Sequence, residues 1–98
     1  MLTYYHGTRN AEGIMNAILG DGRIRAPFHM TPDPEVAANY GRVIAIELET
    51  DVVSAHIGTI NKDGNYNPAV GNSVEVVLKT PAAVREFYAA LYNATLVR

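Results

Sequence analysis

The sequence predicts an α+β fold, and three observations carry that expectation. Strand-like and helix-like segments are short and alternate irregularly, which fits α+β better than a doubly wound parallel sheet. Residues 43–49 alternate strictly, with Val43, Ala45, Glu47 and Glu49 on one face and Ile44, Ile46 and Leu48 on the other. Thr80-Pro81 opens an amphipathic helix in which Val84, Phe87, Tyr88 and Leu91 can cover one side of a sheet.

Each element has its own local signal. Residues 2–5 are aromatic and β-branched, and read as a short strand that stops at Gly7. Asn10 is placed to cap a helix in which Ile14, Ala17 and Ile18 fall at helical spacing, at some cost from Gly13, before Gly20 and Gly22 end the pattern. Residues 23–27 read as a loop leading into a second short strand, Phe28-His29-Met30-Thr31, which Pro32 ends. Asp33-Pro34-Glu35 sets a cap, a first-turn proline and an acidic residue in the order a helix start favours. That helix is predicted to run through Val36, Ala37 and Tyr40 and stop at Gly41. Residues 52–57 are expected to continue the alternating strand or to neighbour it, and residues 73–79 form a further strand. Between them, residues 58–71 are dominated by Gly, Asn, Asp and Pro, the composition of turns and a mobile loop.

Bulk properties narrow the function. With 98 residues, 48% hydrophobic and 18% charged, the chain reads as one minimal domain over residues 1–98, so any site must lie close to the core. A formal charge of −2 with scattered Lys and Arg disfavours a nucleic-acid partner, which needs a basic stripe against phosphates. The absence of Cys leaves no disulfide or thiolate metal site and is compatible with a reducing compartment. No basic segment precedes an apolar stretch and no apolar run approaches about 18 residues, so a cytoplasmic location is the default and no membrane partner is expected. His6, His29 and His56 match no metal-ligand spacing, and no metal is expected.

Three places carry the residues from which chemistry is expected: Tyr5-His6-Gly7-Thr8 at a strand end, Ala37-Ala38-Asn39-Tyr40 on a helix, and Glu75 on a late strand. In this order they resemble the diphtheria-toxin and poly(ADP-ribose) polymerase branch of the ADP-ribosyltransferases, which is marked by a His, Tyr, Glu triad. The likeness extends to residues 18–27, similar to that family's helix end and basic loop. It continues through Phe28-His29-Met30-Thr31 with the tyrosine-bearing helix, and through residues 73–78 as its glutamate strand. Each motif alone is weak, and the ordered set carries the resemblance. It implies a compact split β-sheet core with short flanking helices and mono-ADP-ribosylation of a macromolecule, a protein by expectation, with NAD⁺ as co-substrate and release of nicotinamide. NAD⁺ hydrolysis is a further outcome.

The resemblance assigns catalytic roles to His6, Tyr40 and Glu75, and NAD⁺-binding roles to Gly7, Thr8, Arg23, Arg25 and His29. Nicotinamide leaves NAD⁺ as a neutral molecule, so the reaction needs no acid but does need a carboxylate beside the ribose as positive charge develops there. Glu75 would supply it; otherwise Glu75 is an outward-facing strand residue between Val74 and Val76. Gly7 would let the backbone approach the flat ring, with His6 and Thr8 on the ribose hydroxyls; otherwise Gly7 ends a strand. Tyr40 would stack on the cationic ring, or be a core tyrosine. Arg23 and Arg25 would contact the diphosphate or adenosine, or lie on a solvated turn.

Departures from the family pattern shape the expectation. His29 stands where a second stacking aromatic, usually tyrosine, is found, and Ala37 replaces a serine that bonds the carboxamide. Ser73, two residues before Glu75, makes arginine a poor acceptor candidate, and the short chain leaves no acceptor surface for polymer elongation. The His29 and Ala37 departures, with the small size, leave room for an inactive binder of NAD⁺, ADP-ribose or a partner surface, and small size alone permits a small inhibitor that acts by occluding a partner.

Overall fold

A computed structural model describes residues 1–61, 63 and 73–98. Among them the chain forms β1 (Leu2–Thr8), α1 (Ala11–Leu19), β2 (Phe28–Met30), α2 (Pro34–Ala38), β3 (Arg42–Leu48), β4 (His56–Ile60), β5 (Ser73–Leu78), α3 (Pro81–Ala90) and β6 (Leu91–Leu96). The strands make two antiparallel three-stranded sheets, ordered β1-β3-β6 and β2-β5-β4. The architecture is α+β, as the irregular alternation of elements predicts.

The core lies where these sheets and the longer helices meet. β3 is central in its sheet, and Ile44, Ile46 and Leu48 are fully buried on one face, as their alternation requires. Val76 and Leu78 of β5, Phe28 and Met30 of β2, Ile18 of α1 and Phe87 of α3 join the same cluster. Burying side chains of this size stabilises the fold by roughly 1.5–3 kcal/mol each, against the entropy of ordering the chain. The helix starts are capped as the sequence indicates: Asn10 Oδ1 accepts from Gly13 N at 3.2 Å, Asp33 Oδ1 from Glu35 N at 3.0 Å and Thr80 Oγ1 from Ala83 N at 3.1 Å.

Several boundaries differ from the sequence expectation, each for a physical reason. β1 does not stop at Gly7 but continues to Thr8, because its register against β3 persists through Gly7↔Val43 and Thr8↔Arg42. α2 ends at Ala38 rather than running to Gly41. Tyr40 N donates to Ala37 O at 3.0 Å and Gly41 adopts φ +133, so a tight turn feeds β3 directly. Residues 52–55 turn instead of extending: Ala55 N donates to Val52 O at 3.1 Å, and the Glu86 carboxylate of α3 accepts from the backbone of Val53 and Ser54. β4 therefore starts only at His56 and takes in Gly58, Thr59 and Ile60, which the composition places in a loop. Most of that expected loop, residues 62 and 64–71, lies outside the described residues. Leu91 does not extend α3; it begins β6, which pairs with β3 through Ile44↔Leu96 to Leu48↔Leu91. Among the described residues no helix is long and apolar enough to cross a membrane.

Candidate functional site

The two sheets are tied together at one seam, and the candidate site lies beside it. Tyr5 of β1 and Thr31, just beyond β2, exchange backbone hydrogen bonds, Tyr5 N to Thr31 O at 2.7 Å and Thr31 N to Tyr5 O at 2.9 Å. Thr31 Oγ1 donates to Val74 O at 2.8 Å and accepts from Asp33 N at 3.2 Å, so one buried hydroxyl links β5 to the start of α2. Ser73 Oγ donates to Asp33 Oδ2 at 3.0 Å and reinforces the same corner. The seam thus sets β1, β2, α2 and β5 in fixed relation around a cavity of about 320 Å³.

That cavity is lined by Tyr5, His6 and Gly7 of β1, His29 and Met30 of β2, Thr31, Val36 and Ala37 of α2, Tyr40, Ile60 and Glu75. Residues far apart in sequence converge there because two sheets, rather than one continuous one, present their ends to α2. A mostly apolar concavity of this size with a few polar groups is the usual form of a small-molecule site.

Glu75 is buried while Val74 beside it is 42% exposed, so the alternative of an outward-facing Glu75 does not hold. Val76 and Leu78 do point to the core, as alternation demands, and Glu75 and Val77 occupy the opposite face of β5. His29 is on that face too: it pairs in register with Val77 and sits diagonally to Glu75, close enough for their side chains to meet. His29 Nδ1 and Glu75 Oε1 are 2.7 Å apart. A carboxylate only accepts, so Nδ1 carries the hydrogen and donates it, which in the neutral ring leaves Nε2 as an acceptor. The imidazole is 47% exposed, whereas the carboxylate it holds is 6% exposed.

His6 is fixed from two sides. Its ring stacks on Phe28 with centroids 4.2 Å apart and planes inclined by 20°, and its Nδ1 donates to the backbone oxygen of His29 at 2.6 Å. Burial pushes the His6 pKa down, opposed only partly by that hydrogen bond. The ring is therefore neutral at pH 7, with Nε2 an acceptor. Tyr40 is 45% exposed, which sets it apart from a core tyrosine. Its phenol is pushed up first by partial burial and then by the negative charge of Glu75, so the two groups share one electrostatic environment.

Gly7 has a packing reason that the sequence did not disclose. A Cβ at Gly7 would stand 1.8 Å from the carbonyl oxygen of Ala37 and 3.0 Å from the Cβ of Tyr40. The bare backbone lets the end of α2 lie directly on β1, and that contact delivers Tyr40 to the cavity.

Not every predicted residue joins this group. His6, Gly7, His29, Tyr40 and Glu75 do. Thr8 does not line the cavity; its Oγ1 accepts from Asn10 N at 2.9 Å in the turn before α1. Arg23 and Arg25 lie in the loop between α1 and β2 and, with Arg85 and Pro81 of α3, line a separate open depression. The Arg23 guanidinium sits 4.1 Å from the centre of the Tyr88 ring, a cation over an aromatic face. His56 opens β4 and is not among the residues lining the cavity. Among the described residues, no three His, Cys, Asp or Glu side chains group as metal ligands.

Sequence reasoning missed Thr31, Met30, Val36 and Ile60 as parts of this site, and the His29–Glu75 contact altogether. Thr31 before Pro32 was legible as a strand end, but its seam role depends on a partner 26 residues away. Compared with known proteins, the chain matches no family model, no curated protein and no solved structure.

Proposed function

We propose that the chain is a mono-ADP-ribosyltransferase that consumes NAD⁺, transfers ADP-ribose to a macromolecular acceptor and releases nicotinamide. The observation that carries this reading is the convergence of His6, Gly7, His29, Tyr40 and Glu75 on one cavity from three strands and the turn after α2. Two small sheets meeting at a seam also suit the split-sheet core that the resemblance to the family implies.

The cavity fits the nicotinamide end of NAD⁺ in both size and chemistry. At about 320 Å³ it accommodates a ring and its ribose, not a whole dinucleotide, so the diphosphate and adenosine would extend beyond it. Tyr40 offers an aromatic face to a cationic ring. His6, held neutral by burial, offers an acceptor to a ribose hydroxyl. Glu75 brings negative charge into a low-dielectric site, where it favours the positive charge that develops on the ribose as the glycosidic bond breaks. Val36, Met30 and Ile60 give the site apolar walls that limit water.

The test is Glu75→Gln, which keeps the shape of the side chain and removes its charge. Nicotinamide release is expected to fall on the order of 10²–10³-fold while circular dichroism stays unchanged. Turnover within a few-fold of the parent would overturn the assignment. A second reading, a binder without catalysis, is favoured by one observation: Glu75 Oε1 is already engaged by His29. Calorimetric binding of NAD⁺ with no nicotinamide released over long incubation would select it.

A further inference from the structure

We infer that His29 is the general base of this site, and that the acceptor it serves is an oxygen nucleophile, a hydroxyl group or water. This rests on the proposed transferase reading and deepens it, because it names the acceptor chemistry.

The geometry is that of a base with its orienting group. Glu75 is buried and rigidly placed on the central strand of its sheet, and it accepts a hydrogen bond from His29 Nδ1 at 2.7 Å. A carboxylate so placed fixes the tautomer and the plane of the imidazole, stabilises the ring once it has gained a proton, and commits Nε2 to the acceptor role. The backbone of His29 is held as well, because its carbonyl oxygen accepts from His6 Nδ1 at 2.6 Å. His29 is nevertheless half-exposed at the cavity wall, where a group arriving from solvent can reach it. A side chain serving only as a stacking surface would need neither a buried carboxylate on its Nδ1 nor a solvent-facing edge.

The step balances without any further reactant. The acceptor O–H gives its proton to His29 Nε2 as its oxygen forms a bond to the anomeric carbon of the nicotinamide ribose. The bond from that carbon to the pyridinium nitrogen breaks, and its electron pair leaves with nicotinamide, which departs neutral. Base assistance of this kind is worth roughly 10²–10⁴-fold. It is needed for a hydroxyl or water, which must lose a proton, and not for an anion such as azide, which has none to lose.

The experiment uses the full chain and its His29→Asn variant, whose amide nitrogen takes the place of Nδ1 and still donates to Glu75 but has no basic nitrogen. NAD⁺ affinity is measured by calorimetry. Nicotinamide release is measured in buffer alone, with a simple alcohol, and with azide. The parent is expected to release nicotinamide in all three. At saturating NAD⁺ the variant's rates in water and alcohol, each taken relative to its own azide rate, should fall about 100-fold or more below the parent's. Equal losses with azide and alcohol, or no loss at all, would overturn the role of His29 while leaving the transferase reading standing. A parent chain that binds NAD⁺ but releases no nicotinamide with any nucleophile would remove that reading and this inference together.

Discussion

Gly7→Ala is the smallest change that tests how the site is assembled. The added Cβ would lie 1.8 Å from Ala37 O and 2.7 Å from Ala37 C, both backbone atoms that cannot rotate away. To reach ordinary contact the end of α2 must retreat by roughly 1.6 Å, the gap between 1.8 Å and 3.4 Å, in an interior packed as densely as an organic crystal. That movement also shifts Tyr40, whose Cβ is 3.0 Å from the same point, and disturbs the buried Val36 and Ala37. Overpacking of this kind costs about 1–3 kcal/mol, and backbone involvement puts Gly7→Ala at the upper end. For a domain of this length, the midpoint of thermal unfolding should fall by roughly 10–20 °C. Calorimetric NAD⁺ binding should weaken at temperatures where the variant is still folded, because the Tyr40 wall has moved. Gly58→Ala is the matched control: among the described residues its Cβ would meet nothing nearer than His56 Nε2 at 3.8 Å, so stability and binding should barely change. If Gly7→Ala unfolds within about 0.5 kcal/mol of the parent and binds NAD⁺ equally well, the close approach of α2 to β1 is not what shapes the cavity.

Two further outcomes follow from side chains around the core and the cavity. Burial holds the His6 pKa below that of an ordinary histidine, so the native state prefers the neutral ring. Its contribution to stability is therefore full above about pH 6.5 and is lost as pH falls through the lower native value. Urea midpoints should decline from about pH 7 to about pH 5 more steeply for the parent than for His6→Gln; parallel curves would refute this. Tyr88 Oη accepts from Ile24 N at 2.9 Å and donates to Ala17 O at 2.5 Å, so it fastens the loop before β2 to the end of α1. Tyr88→Phe should cost about 1–3 kcal/mol in denaturant unfolding, because the Ile24 N–H loses its partner. NAD⁺ affinity should stay unchanged, since Tyr88 is not among the residues lining the cavity; a marked loss of binding would show that the loop and the cavity are coupled.

Much of the fold was legible because local physics decided it. The two-residue alternation of residues 43–49 became the buried face of β3, and Asn10, Asp33 and Thr80 cap the helices that they precede. Elements whose signals are tertiary were read less well. β6 follows α3 without an intervening turn and exists because β3 offers it a free edge; Leu91-Tyr92-Asn93-Ala94 carries little to mark the change. β4 contains Gly58 and lies in a stretch whose composition favours turns, yet pairing with β5 overrides it.

The candidate site divides the same way. Residue types and their order single out His6, Gly7, Tyr40 and Glu75, and the structure brings these four to one cavity. Their order could not place Arg23 and Arg25, which fall in a separate depression, nor draw Thr8 away from the cavity into a turn. Nor could it show that His29, a departure from the expected aromatic, is bound to Glu75, because that contact depends on the register between β2 and β5 and on strands 46 residues apart. By itself the sequence determined the α+β class, the caps and core faces, and the set of groups available for chemistry, since these depend on composition and short spacings. Only the tertiary structure decided which of those groups meet, because hydrogen bonds and charges act over a few ångströms, and distances that short between remote residues are set by sheet register and by the packing of α2 on β1.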